Sequence, residues 1–300
     1  MPALNTDEFM EGETVEYVKL ANGVEIPKIG YGVFQISKDD APRCVREAIE
    51  TGYRHIDTAQ SYFNEAEVGQ GIKDSGIDRK DLFLTTKIWI SNYGYENTLR
   101  SVDVSLKKLG TDYLDLVLLH QPFSDTYGAW RALAKPYKDG VIRALGVRNF
   151  YPHRLAAMVA FNEIAPMVDQ VETNPLNQQI EARKNMVKRG VAQEAWAPFG
   201  EGMQNMFSNP TLARIGEAHG KSVAQVILRW LTQRDIVALP KSTHKERMEE
   251  NLNIFDFRLS DSEMATIAGL DTKTSMFFRH DTPEAVDRFV GYVKERAGRE

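Results

Sequence analysis

DLFLTTKIWISNYGYENTLRSVDVSLKKLGTDYLDLVLLH, residues 81–120, contains one complete strand–helix–strand unit. DLFLTTK (81–87) and YLDLVLLH (113–120) are short and dense in apolar residues, as strands covered on both faces should be. Between them Leu99, Val102, Leu106 and Leu109 recur at helical spacing over 95–110, and Gly110 supplies the stop.

The same alternation extends in both directions. Further strand-like runs are IPKIGYGVF (26–34), YRHIDT (53–58), VIRALGV (141–147), PMVDQVE (166–172), VAQEAW (191–196) and DIVALP (235–240). Helical periodicity appears over 41–52, where Val45, Ala48 and Ile49 share a face closed by Gly52. It returns around 222–233, with Val223, Val226, Ile227 and Trp230. Helices are also expected over 65–75, 126–139, 152–163 and 178–189. Upstream, YVKLANGVEIP places Asn22-Gly23 between two short apolar runs. That dipeptide signals a hairpin whose two central residues both take φ > 0. The count is about eight βα units with no low-complexity linker between halves, which predicts a closed (β/α)8 TIM barrel with an N-terminal β-hairpin. The competing arrangement is an open doubly wound sheet. Its glycine fingerprint is incomplete, since GYGVFQISKDD offers Gly30 and Gly32 but no third glycine opening a helix.

Bulk composition fits this picture. The chain has 300 residues, 42% of them apolar, and a formal net charge of −5. Such a length accommodates either two domains or one large barrel, and the expectation is a single barrel domain over 1–300, with 1–14 flexible and 272–300 a C-terminal tail. Mild acidity argues against a nucleic-acid surface, which needs concentrated positive charge. Cys44 is the single cysteine, so no internal disulfide forms and a reducing compartment is expected. With no apolar signal segment at the N-terminus and no run approaching a membrane span, the expectation is a soluble cytoplasmic protein. Monomer is the default, and no metal is expected at the site.

In such barrels chemistry sits at the C-terminal ends of the strands. The second strand ends in Asp57, with Tyr62 in the loop beyond; the third ends at Lys87 and the fourth at His120. Each has a plain alternative: a turn cap for Asp57, a snorkelling strand-end lysine, a hydrogen-bonded barrel histidine. Together they form a constellation. A phenol ordinarily ionises near ~10 and is a poor acid at neutral pH. A lysine ammonium nearby stabilises the phenolate, a histidine polarises or relays the proton, and a carboxylate keeps the buried lysine charged and in place. The product is a general acid able to protonate an oxyanion, as carbonyl reduction requires.

Several segments carry a resemblance to a known family. GYRHIDTAQSYFNEAEVGQGI and LPKSTHKERMEENL each resemble a signature of the aldo-keto reductase superfamily, with the layout of its bacterial diketogluconate reductase-like members. TTKIW, LLHQP, GVRNF, QVETNP and EAWAPFG follow the family's order between them, and the match runs from about Lys19 to about Asp271. The resemblance implies a (β/α)8 barrel and a catalytic tetrad of Tyr62, Asp57, Lys87 and His120, with Tyr62 the general acid. It also implies a nicotinamide dinucleotide cofactor, usually NADPH. Asn149 and Gln170 match positions that hold the carboxamide, and Glu250 and Asn251 positions facing the adenine. Arg148 departs from the pattern, standing where the family most often has serine.

The cofactor segment also has a physical reading. Thr243 followed by Glu246 has capping-box spacing, so a helix is expected to start there with its N-terminal dipole facing an anion. Lys241, Ser242, Thr243 and Arg247 add two charges and two hydroxyls, a set suited to a ribose 2′-phosphate and hence to NADP(H). Without the resemblance, a capped surface helix with ordinary basic residues is the plainer reading. Trp196, closing the seventh strand, offers a face for stacking the nicotinamide, and 201–210 is read as a strap over the pyrophosphate. Phe34, Trp89 and Phe123 are expected to line the substrate pocket, favouring an apolar or planar carbonyl compound, with Arg279 and His280 nearby in the tail. The reading that results is NADPH-dependent reduction of an aldehyde or ketone. Its rivals are a non-catalytic relative that binds or senses the cofactor, and a barrel of other chemistry such as an isomerase or lyase.

Overall fold

The computed structural model describes residues 15–296, so the expectation about 1–14 lies outside the described residues. It begins with a hairpin. Strand β1 (Tyr17–Lys19) pairs antiparallel with β2 (Glu25–Pro27) in the register Val18↔Ile26. The turn differs from the two-residue form expected. Leu20 N–H bonds Val24 O and Gly23 N–H bonds Leu20 O, leaving three residues in the loop. Gly23 (φ +88°) adopts the left-handed conformation and Asn22 does not. This is the three-residue hairpin in which a left-handed glycine closes an ordinary turn.

Eight parallel strands follow: β3 (Tyr31–Gly32), β4 (His55–Asp57), β5 (Phe83–Ile88), β6 (Leu116–Leu119), β7 (Leu145–Arg148), β8 (Val168–Glu172), β9 (Ala192–Trp196) and β10 (Val237–Ala238). Their order in the sheet is sequential. Gly30 N–H to Ala238 O (2.9 Å) and Ala238 N–H to Lys28 O (2.8 Å) join the last strand to the first. The sheet is therefore a closed barrel, and the doubly wound alternative, whose strand order reverses, is excluded.

The expected helices are α1 (Ala41–Thr51), α2 (Glu65–Ser75), α3 (Tyr95–Leu109), α4 (Thr126–Lys138), α5 (Pro152–Phe161) and α6 (Ile180–Lys188). Three helices beyond those expected are α7 (Pro210–His219), α10 (Asp261–Ala268) and α11 (Pro283–Arg296), while α8 (Val223–Thr232) matches its expected place. Helix α9 (Lys245–Leu252) starts later than the Thr243–Glu246 spacing suggested. His244 is its N-cap and no side chain caps it. Ser242 Oγ instead accepts from His244 N–H (3.0 Å), a tight turn that moves the helix start past Thr243. None of the described helices is long and apolar enough to cross a membrane.

Strand parity divides the side chains into two cores. Outward residues such as Ile56, Leu84, Val117, Leu119, Leu145 and Val147 pack under the helices, against Val45, Val102, Val226 and Trp230. Inward residues Phe83, Leu116, Leu118, Val168 and Val237 form a separate cluster that includes Leu20 and Ile26 of the hairpin. The hairpin thus plugs the N-terminal end of the barrel, and burying each of these two side chains contributes about 1.5–3 kcal/mol.

Above the plug the interior turns polar. Asp57 and Lys87, from adjacent strands, meet there with 5% and no side-chain exposure, Lys87 Nζ lying 2.5 Å from Asp57 Oδ1. Thr58 O accepts a second bond from Nζ at 2.9 Å. Removing one partner of such a pair leaves a buried charge uncompensated. Asp57→Asn is therefore expected to lower unfolding free energy by about 3–5 kcal/mol in urea titrations; a loss below about 1 kcal/mol would show the pair to be solvated as surface pairs are.

Candidate active site

Tyr62 closes a short 3-10 turn, Gln60–Tyr62, that follows β4. Gln60 and Asn64 anchor this turn to its neighbours. Gln60 Oε1 accepts from Trp89 N–H (2.9 Å) and Asn92 Nδ2 (2.8 Å), while its Nε2 donates to Ser101 O and Ser105 Oγ. Asn64, just past the turn, donates to Val33 O and accepts from Thr58 Oγ1. The Tyr62 loop is thereby fastened to the segments after β3 and β5. Lys87 Nζ lies 3.4 Å from Tyr62 Oη and 5.0 Å from the centre of its ring.

His120 approaches Tyr62 edge-on, with ring centroids 5.8 Å apart. Its Nδ1 is 3.3 Å from Ser61 Oγ. Burial holds its pKa well below the usual histidine range, with help from the positive charges of Arg148 and Lys87. The imidazole is therefore neutral, able to donate or accept at Nε2 without carrying charge into the site. The four residues at the second, third and fourth strand ends thus converge on one point.

The residues expected at the nicotinamide end are also close together, and they are bonded to one another. Trp196 Nε1 donates to Asn149 Oδ1 (2.9 Å), and Asn149 Nδ2 donates to Gln121 Oε1 (3.3 Å). Gln170 Nε2 donates to Asp57 Oδ2 (3.0 Å) and Glu194 Oε2 (2.7 Å), and its Oε1 accepts from Arg148 Nε (3.0 Å). The Arg148 guanidinium rests 4.6 Å from the centre of the Trp196 ring. In this conformation arginine covers one face of Trp196. A ring stacking there requires Arg148 to turn aside.

These groups open into a cavity of about 720 Å³ at the C-terminal end of the barrel. Phe34 and Trp89 line it, as does Lys241. Phe123 does not: it packs against Phe289 (5.0 Å) and His280 (6.4 Å) and faces a neighbouring groove. Arg279 also points elsewhere, held at the surface by Asp281. His280 does reach the cavity, where burial and Arg148 push its pKa down to about 3. The remaining walls come from residues that strand-end reasoning passed over. Glu172 accepts bonds from Ser275 Oγ and Met276 N–H, Tyr151 Oη accepts from His280 N–H, and this strap carries Phe277 and Phe278 over the opening. Helix α11 then adds Phe289, Tyr292 and Arg296. Spacing of three and four residues among those three was the available signal, and Thr282-Pro283 ahead of them is a helix start. Glu194 was also readable, because it shares inward parity with Trp196 on β9.

Beyond Lys241 the expected phosphate-binding residues run away from the cavity. Ser242 is buried and its carbonyl accepts from Tyr31 Oη; Thr243 O accepts from Arg43. Arg247 is exposed in the first turn of α9, Glu250 half-buried and Asn251 buried. Gly200–Ser208, read from sequence as a strap, forms a kinked segment in which Glu201, Gln204 and Asn205 all have positive φ, and Glu201 borders the cavity. Among the described residues no group of histidine, cysteine and carboxylate side chains is arranged to hold a metal ion.

Comparison with known proteins agrees with this architecture. A glyoxal reductase of Bacillus subtilis is 49% identical over 256 residues, spanning 85% of this chain and 92% of the relative. A morphine 6-dehydrogenase of Pseudomonas putida is 44% identical over 269 residues, spanning 85% and 91%. Among solved structures, an aldo-keto reductase of Bombyx mori in complex with NADP superposes with a TM-score of 0.85 at 32% identity, covering 90% of this chain and 98% of that one. The sequence profile of the Aldo/keto reductase family matches residues 28–272, and the chain belongs to that family.

Proposed function

We propose that the protein reduces an aldehyde or ketone to an alcohol, with Tyr62 delivering the proton. The enzyme is an NADP-dependent oxidoreductase. The observation that carries the residue assignment is the placement of the Tyr62 hydroxyl 3.4 Å from a lysine ammonium that Asp57 itself holds in place. As the proton leaves Oη, Lys87 stabilises the phenolate left behind. His120, neutral and edge-on to Tyr62, orients the carbonyl oxygen that receives the proton. Enclosure by the aromatic strap and α11 excludes water and strengthens these interactions. The reverse reaction, oxidation of an alcohol, uses the same groups.

The residues fit the cofactor. NADP(H), when bound, supplies or accepts the hydride. Lys241 and Arg247, with the free N–H groups opening α9, suit an anionic 2′-phosphate. Trp196, Asn149 and Gln170 suit the nicotinamide and its carboxamide once Arg148 has moved. Identity to a glyoxal reductase and the planar aromatic walls point to a small dicarbonyl or aromatic aldehyde as substrate.

The test is NADPH oxidation followed by absorbance across aldehydes, α-dicarbonyls and keto-sugars. At least one carbonyl should be consumed, and Tyr62→Phe should lower kcat by about 10²-fold or more. Full activity in that variant would remove Tyr62 from its role. Bound cofactor with no carbonyl consumed would make the protein a binding module. Arg247→Ala should weaken NADPH by about tenfold while leaving NADH nearly unchanged, a preference worth ~1.4 kcal/mol; equal effects on both would refute the 2′-phosphate assignment. Arg148→Ser frees the Trp196 face of a cation–π contact worth ~1–2 kcal/mol, so NADPH should quench tryptophan fluorescence at lower concentration than in the wild type. Weaker binding would instead make Arg148 a cofactor ligand.

A further inference from the structure

Glu194 stands two residues before Trp196 on β9, so both side chains enter the barrel. Its carboxyl group is fully buried. Gln170 Nε2 donates one hydrogen to Glu194 Oε2 at 2.7 Å and the other to Asp57 Oδ2 at 3.0 Å. One amide therefore bridges two carboxyl groups. Asp57 passes the connection to Lys87, and Lys87 to Tyr62 Oη. Glu194 Oε1 has no hydrogen-bond partner among the described residues, and His55 Nε2 is 3.9 Å away. Nothing in the catalytic arrangement proposed above requires a second acid at this depth.

We propose that Glu194 is a positioning residue for proton donation: acting through Gln170, it sets the net charge around Asp57 and Lys87, and so how readily Tyr62 yields its proton. The inference rests on Tyr62 being the proton donor.

A charge inventory of the barrel interior supports it. Strand β4 presents Asp57 and His55 to Glu194, β5 presents Lys87, and β7 presents Arg148. Gly30 and Gly32 of the β3 side, Leu118 of β6 and Leu239 beyond β10 face inward without charge, and His120 lies just past β6. Glu172 at the end of β8 is engaged by Ser275 and Met276 of the strap rather than by this group. Burial keeps both histidines neutral, pushing that of His55 down to about 3. With Glu194 protonated, one carboxylate faces two cations and the group carries one net positive charge. Ionising Glu194 cancels it. A phenolate forming at Tyr62 is favoured by the first state and not by the second.

Burial, reinforced by the Asp57 carboxylate, pushes the Glu194 pKa up to about 8. The acid is therefore neutral at physiological pH and ionises just above it. Carbonyl reduction should weaken as pH rises through about 8, while the Glu194 proton is being lost. The same group has a consequence for stability. Its folded pKa lies above its unfolded value of 4.5, so the folded state holds the extra proton between 4.5 and about 8, and stability declines as pH rises across that window.

The experiment is a pH profile of kcat for carbonyl reduction at saturating NADPH, comparing wild type, Glu194→Gln and Tyr62→Phe. Glu194→Gln should keep kcat near neutrality within about threefold and move the alkaline limb upward by about one pH unit. An unmoved limb in the folded variant overturns the proposal, because a merely structural role lowers kcat without moving the limb. Infrared titration of the wild type minus that of Glu194→Gln supplies a second readout. The subtraction removes the other buried acids Glu65 and Asp169, whose pKa values burial also raises. The band of a buried protonated carboxyl should disappear with the same midpoint as the activity, and no such coincidence also overturns the proposal. Should the wild type reduce no carbonyl at all, the reductase reading falls and this inference with it. Should it reduce carbonyls with an unshifted Glu194→Gln profile, only the Glu194 inference falls.

Discussion

The ion pair between Asp57 and Lys87 is the constraint on which the site depends. Two opposite charges are held inside a closed barrel, on neighbouring parallel strands and out of water. At that depth the surroundings screen little, so the pair is rigid and its separation costly. Lys87 in turn brings its ammonium within reach of a tyrosine that lies outside the sheet, on a loop. The loop must then be as well fixed as the strand. Gln60 and Asn64 accomplish this by tying the turn to the segments that follow β3 and β5.

Around that pair the interior behaves as one hydrogen-bonded unit. Gln170 uses both amide hydrogens on carboxyl groups and its oxygen on Arg148, so no polar atom of its side chain is left over. Such a network is stiff when complete and costly when broken. Arg148 gives it a feature of its own. A serine at this position would leave the Trp196 face open, whereas the guanidinium both joins Gln170 and covers the indole. Moving Arg148 off the indole would therefore also break its bond to Gln170.

The barrel was legible because its evidence is local and repeated. Apolar runs of strand length alternate with helical periodicity, and the strand ends come out in the right order. Where the reading failed, the cause was local geometry that several residue types can satisfy. Asn22-Gly23 forms a three-residue loop because one left-handed residue is enough. Thr243 and Glu246 have the spacing of a capping box, yet the Ser242 hydroxyl turns the chain first. Phe123 was placed by its position past a strand end, which says nothing about the direction of its ring. In the structure the strap and α11 draw it to the other side. The segment after Asp271, read as a tail with Arg279 and His280 near the substrate, contributes much of the cavity's outer wall.

The sequence by itself determined the periodicities, and with them the barrel and the family, and it placed Tyr62, Asp57, Lys87 and His120 at neighbouring strand ends on one rim. Those are properties of residue order and parity along single strands, which survive without knowledge of packing. Only the tertiary structure decided that Glu194 shares an amide with Asp57, that Arg148 lies on Trp196, and that His280 rather than Arg279 enters the cavity. Each of these depends on which side chains from distant strands and loops meet inside a ring of fixed diameter. That meeting is a consequence of barrel closure, because closure brings β4 across the ring to within hydrogen-bonding distance of β8, although the two lie far apart along the chain.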